Sequence, residues 1–324
     1  MNEIIANYLT FLLQTTTIVF AILIILGKII SLKKSSLIDS SDIEIKKLNA
    51  KTQESIEKTA KKILNKKDYK KLVKSNKEKQ KKHKNTTRSK LFILSFKGDI
   101  RASASEQLRE EVSAILAIAK KNDQVLIQLE SPGGCVHDYG FAASQLTRIR
   151  DHNIKLTVAV DKMAASGGYL MACVANNIIA SPFAVIGSIG VLLQVPNFHK
   201  FLQDKKINFE QLTSGNDKRN LTIFGENTDK DREKAQEQID QIHRLFTDFV
   251  KKYRPNIESD KVATGKTWHA IDAIELNLVD QIITSDEFII SALKSNDVYT
   301  LKQQKKKRSF MQKITENAQL LMSI

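Results

Sequence analysis

The sequence predicts an α/β domain of largely parallel strands, preceded by one transmembrane helix. Three observations point there. From Leu91 onward, short apolar runs of β character alternate with segments of helical periodicity. Two of the strand-to-helix junctions are rich in glycine, and residues 8–26 form an uncharged, mostly apolar run long enough to cross a hydrocarbon layer as one helix.

The apolar run is preceded by Glu3, with neither Lys nor Arg, and no A-x-A cleavage pattern follows it. It therefore reads as an uncleaved anchor within residues 1–34 rather than a secretory signal. Lys28, Lys33, Lys34, Lys46 and Lys47 follow the span, so the positive-inside rule favours a cytoplasmic position for the domain beyond it. Residues 35–90 contain neither glycine nor proline and are dominated by lysine, which reads as a charged linker lying near anionic headgroups. Ile56, Ala60, Ile63 and Leu64 give it one short apolar stripe, too small for a core.

A chain of 324 residues is long enough to bury a proper core without stapling. Its two cysteines, Cys135 and Cys173, make neither a disulfide framework nor a zinc site. The net charge of +15 comes from lysine far in excess of arginine, and the basic runs lack the interleaved aromatics that stack on bases. Nucleic acid is therefore not an expected partner, and no metal or cofactor is expected.

The α/β region of residues 91–290 reads in order as follows. Strands are expected at 91–96, 124–129, 155–160, 177–180, 185–194 and 208–212. Helices are expected at 106–120, at 136–150 with Tyr139, Ala142, Leu146 and Ile149 on one face, after the strand ending at Val160 and running through Ala175, and at 198–202. Thr228 to Asp231 forms an N-cap, after which Ala235, Ile239, Ile242, Phe246 and Phe249 repeat at helical spacing until Arg254-Pro255 ends the helix. Gly265-Lys266-Thr267 looks like the end of a phosphate-binding loop, but Asp260 replaces the required glycine and no strand precedes it. Residues 270–276 read as a helix that Asn277 closes in the left-handed conformation. Residues 291–324 read as a basic tail.

The chemistry concentrates at the glycine-rich junctions, Ser131-Pro132-Gly133-Gly134 and Ser166-Gly167-Gly168. Backbone N–H groups at such turns suit an oxyanion or a phosphate equally well. A serine set among small residues between a strand and a helix presents its hydroxyl, although a tight turn needing small residues for packing explains the same pattern. Ser166 needs a base to act as a nucleophile, either a histidine, of which His137 follows a glycine-rich turn, or a lysine whose pKa burial or neighbouring cations depress until the neutral amine can take the hydroxyl proton. Glycines within the apolar run 185–191 mark either a close approach by another backbone or a ligand, or a bulge or tight packing point; on the first reading Ile189, Gly190 and Val191 are candidate contacts for an extended peptide.

Several motifs occurring in one order carry a resemblance: LESPGG at 129–134, DKMAASGGYLMACVAN at 161–176, GSIGVLLQVPN at 187–197, FGENT at 224–228, VATGKTW at 262–268 and LVD at 278–280. Together they resemble the signal peptide peptidase A family of membrane-bound serine peptidases, family S49, and more closely its SohB-type branch. The resemblance implies a peptidase domain over residues 91–290, folded as a ClpP/crotonase-like superhelix of strands and helices in which the two glycine-rich turns meet. It implies Ser166 as nucleophile, Lys218 as general base, and Gly133 and Gly167 as oxyanion donors, in a homo-oligomer at the bacterial inner (plasma) membrane. Peptides are the implied substrates, such as signal-peptide remnants or damaged membrane proteins, and the N-terminal helix contacts lipid. Two other classes compete: a catalytically silent membrane scaffold of this fold, and an acyl-CoA enzyme, which gives no reason for Ser166 and Lys218 together.

Overall fold

The computed structural model describes residues 7, 9–20, 43–84, 88–215 and 218–303. The chain forms two compact units, residues 1–42 and 43–324. In the first, residues 9–20 are helical and exposed. The Thr15 and Thr17 hydroxyls donate to the carbonyls of Phe11 and Leu13 at 2.6 and 2.8 Å, and Thr16 bonds Leu12 in the same way. Each hydroxyl is thereby satisfied within the helix, which lowers the cost of carrying threonine in an apolar segment. Residues 8 and 21–26 of the expected span lie outside the described residues, among which no helix is long and apolar enough to cross a membrane.

The second unit is built on a seven-stranded mixed sheet. Its strands are β1 (Ile43–Lys47), β2 (Lys90–Lys97), β3 (Gln124–Glu130), β4 (Lys155–Val160), β6 (Asn177–Ala180), β9 (Gln281–Ile282) and β10 (Asp297–Gln303), in the order β1-β10-β2-β3-β4-β6-β9. All pairings are parallel except β1 with β10. The central strands are continuously apolar because both faces are covered, and alternate residues go to opposite sides. Phe92, Leu94, Val125, Ile127, Leu156 and Val158 join the larger core cluster. That cluster includes Leu108, Val112 and Ile115 of α3 (Ser105–Ile118) and Ala142, Leu146 and Ile149 of α4 (Val136–Asp151). Leu91, Ile93, Leu126 and Ala159 face the other way, towards Leu48 of α1 (Leu48–Ile63) and Phe288, Ile289 and Ala292 of α10 (Ser285–Ser295).

Two segments expected to be linker and tail each supply a strand. β1 pairs along its whole length with β10, and β10 is itself inserted between β1 and β2. Their sequences, IEIKK and DVYTLKQ, are rich in polar residues, so neither resembled the apolar inner strands. α2 (Lys66–Lys84) accounts for the lysine-rich part of the expected linker.

The second sheet is small and positions the candidate site. β5 (Met163–Ala165), β7 (Val185–Gly187) and β8 (Thr267–His269) run in the order β5-β7-β8, and Ser131 bridges to Ala164 beside β5. The strand expected at 185–194 stops at Gly187, because Gly187 and Ser188 both take positive φ, 105° and 55°, and turn the chain away. The strand expected at 208–212 is also not formed. Between them lies α6 (His199–Asp204), and the exposed apolar residues of this stretch include Leu192, Phe201 and Leu212. α7 (Asp229–Tyr253) begins with the expected capping box, in which Thr228 and Asp231 bond each other's backbone N–H. It is followed by α8 (Ser259–Val262) and α9 (Ala270–Ala273), and Asn277 has the expected left-handed φ of 58°.

Candidate active site

Ser166 sits where β5 ends and α5 (Gly167–Ala172) begins. Its φ of 51° and ψ of −119° are strained for a residue with a side chain. The backbone on both sides holds it there. Its N–H donates to Gly187 O of β7 at 2.8 Å, and its carbonyl accepts from Leu170 N at 2.9 Å. Ala164, Ala165, Gly167 and Gly168 around it are buried, whereas Ser166 is only half-buried. The sharp turn thus leaves the serine as the accessible residue of an otherwise closed junction.

The second glycine-rich turn meets the first, as expected. Ser131 N donates to Met163 O and Ala165 N to Ser131 O, at 2.9 and 3.0 Å, which ties the turn to β5. Gly133 has φ 90°, and a Cβ there would lie 2.7 Å from Ser166 Cβ and 2.8 Å from both Ala165 O and Gly167 N. Only glycine allows this approach. The Gly133 N–H is already used, however, donating to Ser131 Oγ at 3.0 Å. Gly134 is exposed, and no partner for its N–H exists among the described residues.

The other expected site residues are placed less closely. Lys218 is exposed, and its N–H donates to Gly215 O at 3.2 Å. Among the described residues its Nζ makes no hydrogen bond to Ser166, and Asn216 and Asp217 lie outside them. His137 is exposed on the first turn of α4 and likewise makes no bond to Ser166. Ile189 is fully buried in the core cluster, and Gly190 and Val191 are half-buried.

The family follows from comparison with known sequences. The description "Peptidase family S49 N-terminal" matches residues 3–146, and "Peptidase family S49" matches residues 148–299. The chain is 44% identical over 321 residues to "Probable protease SohB" of Haemophilus influenzae, covering 95% of this chain and 91% of that one. The chain belongs to peptidase family S49. A second relative of that name, from Buchnera aphidicola subsp. Schlechtendalia chinensis, is 56% identical over 201 residues, covering 62% of this chain and 66% of the other. Among solved structures, a mutant of the "1510-N membrane-bound stomatin-specific protease" superposes with a TM-score of 0.46 at 14% identity, covering 68% of this chain and 100% of that chain.

The far end of α5 is anchored in this S49 chain by a cluster that sequence reading did not find. Tyr169 Oη donates to Leu278 O at 3.1 Å. Arg254, just past α7, donates to both carboxylate oxygens of Asp280 at 2.9 and 2.8 Å and to Asn277 O. Asp280 also accepts from Ile178 N of β6 at 2.7 Å. Burial pushes the Tyr169 phenol and the Cys173 thiol well up, so both stay neutral beside this ion pair. Arg254-Pro255 had looked only like a helix end, and the partners that make it structural lie up to 26 residues downstream.

Proposed function

We propose that this chain is a membrane-anchored serine endopeptidase in which Ser166 attacks the scissile carbonyl of an extended peptide. The observation that carries the reading is the strained, half-accessible Ser166, packed against the Gly133 turn at the opening of α5. Lys218 accepts the serine proton as its neutral amine and returns it to the leaving amine. The tetrahedral oxyanion is met by the N–H of Gly167 and by one N–H of the Ser131-Gly134 turn. Gly133 was the expected donor there; because its N–H is spent on Ser131 Oγ, Gly134 is the better-supported choice. Water then attacks the acyl-enzyme, with the same lysine as base.

Lys218 is exposed and makes no hydrogen bond to Ser166 among the described residues, which is compatible with apo geometry, since catalytic hydrogen bonds often tighten only with substrate bound. Apolar peptides, including signal-peptide remnants, are the proposed substrates, at the bacterial inner membrane with residues 8–26 as anchor. The exposed apolar residues Leu192, Phe201 and Leu212 support a homo-oligomer. The exposed Lys218, with no hydrogen bond to the serine, favours the silent-scaffold reading instead. A fluorophosphonate probe separates the two: the peptidase reading expects labelling that is lost in Ser166→Ala and Lys218→Ala and kept in His137→Ala. Labelling at the full rate in Lys218→Ala would remove the dyad, and no labelling of the assembled wild type would favour the scaffold.

A further inference from the structure

Behind the two glycine-rich turns runs a hydrogen-bond chain with one allowed direction. Tyr139 Oη donates to Asp99 O at 2.8 Å. A phenol has one proton, so across the 2.6 Å contact between Ser131 Oγ and Tyr139 Oη the serine must donate. Ser131 Oγ in turn accepts from Gly133 N at 3.0 Å. The order is therefore Gly133 N–H to Ser131, Ser131 to Tyr139, and Tyr139 to the Asp99 carbonyl.

The same tyrosine touches the nucleophile turn. A Cβ on Gly167 would lie 2.4 Å from Tyr139 Cγ, and a Cβ on Gly168 would lie 2.7 Å from Ser131 O. Tyr139 and Ser131 are both fully buried. One ring thus supports Gly167 while its hydroxyl, through Ser131, holds the turn carrying Gly133 and Gly134. The chain occupies the Gly133 amide, and within residues 131–135 Gly134 keeps the only amide N–H without a partner among the described residues.

We infer that Tyr139 and Ser131 are positioning residues that set the register of the two oxyanion-forming turns and select Gly134 as the donor of the second turn. The inference rests on Ser166 being the nucleophile. Tyr139→Phe keeps the ring that packs on Gly167 and removes only the hydroxyl, so it isolates the hydrogen-bond chain from the packing. Misplaced oxyanion donors slow acylation without weakening substrate binding, and kcat is expected to fall on the order of 10- to 100-fold at unchanged KM.

The test compares wild type, Tyr139→Phe, Ser131→Ala, their double variant and Ser166→Ala as full-length protein on a fluorogenic peptide. It also measures inhibition by a peptide aldehyde, whose adduct carries an oxyanion, and by the matching peptide alcohol, which forms none. The expected result is parallel loss of kcat and aldehyde affinity in both single variants, unchanged alcohol affinity, and a double variant no worse than the worse single one, because both act through one chain. Wild-type kcat in Tyr139→Phe with Ser166→Ala inactive overturns the positioning role alone. Equal loss of aldehyde and alcohol affinity also overturns it, since that indicates general damage to the fold. Wild-type hydrolysis by Ser166→Ala removes the nucleophile assignment, and the positioning role with it.

Discussion

Adding one methyl group at Gly133 tests whether the two turns meet as described. Alanine at φ 90° incurs about 1–2 kcal/mol of backbone strain. Its Cβ would also lie within 2.7–2.8 Å of Ser166 Cβ, Ala165 O and Gly167 N. Two of those neighbours are backbone atoms, and the third is the short side chain of the nucleophile itself, so none can swing aside. Overpacking of this kind costs a further ~1–3 kcal/mol, giving an expected loss of about 2–5 kcal/mol for Gly133→Ala. Gly140, seven residues on, is the internal control. It lies within α4, where an added methyl would meet nothing within 4 Å, so Gly140→Ala should stabilise the protein by about 0.5–1 kcal/mol through helix propensity. Urea unfolding measures both, and fluorophosphonate labelling reads the site: Gly133→Ala should label far more slowly than wild type, Gly140→Ala at the same rate. Equal stability and equal labelling of the two variants would refute the proposed contact between the turns.

Three further outcomes are expected. Asp280→Ala leaves Arg254, whose side chain is only 10% exposed, without its carboxylate and Ile178 N without its acceptor, and should lower stability by on the order of 3 kcal/mol in chemical denaturation. The Thr228 hydroxyl and N–H hold the Asp231 carboxyl below the usual carboxylate range, so its capping contribution is present above the unfolded-state pKa and lost as pH falls through the lower folded value. Hydrogen exchange at the first turn of α7 should therefore accelerate below about pH 4, and a Thr228→Ala variant should show that fast exchange at neutral pH. Cys135 is exposed and Cys173 buried with its thiol pushed up, so a maleimide should modify Cys135 alone until the chain is unfolded; native modification of Cys173 would contradict its placement.

The parts of the fold legible in the sequence were those whose side chains have one environment. β2, β3 and β4 are covered on both faces, and their apolar runs matched residues 91–96, 124–129 and 155–160 closely. The capping box before α7 and the left-handed Asn277 were also legible, since both depend on a few adjacent residues. β1 and β10 were not, because a half-exposed strand can be polar and still be held by partners more than 200 residues away in the chain. Residues 189–193 and 208–212 misled in the opposite direction: positive φ at Gly187 and Ser188 ends β7, and no neighbouring strand among the described residues takes up the rest.

For the site, sequence alone determined the residue types: a serine among small residues, two turns that only glycine can build, and motifs in an order that marks the S49 family. These are local requirements of φ and of side-chain size, written residue by residue. Tertiary structure decided which atoms are free to act. The fold brings Gly133 within contact of Ser166, spends the Gly133 N–H on Ser131, links Ser131 to Tyr139 and Asp99, and buries the Ile189 side chain in the core. Those outcomes depend on pairing and packing between segments distant in the chain, and no local pattern encodes which hydrogen bond a given amide will make.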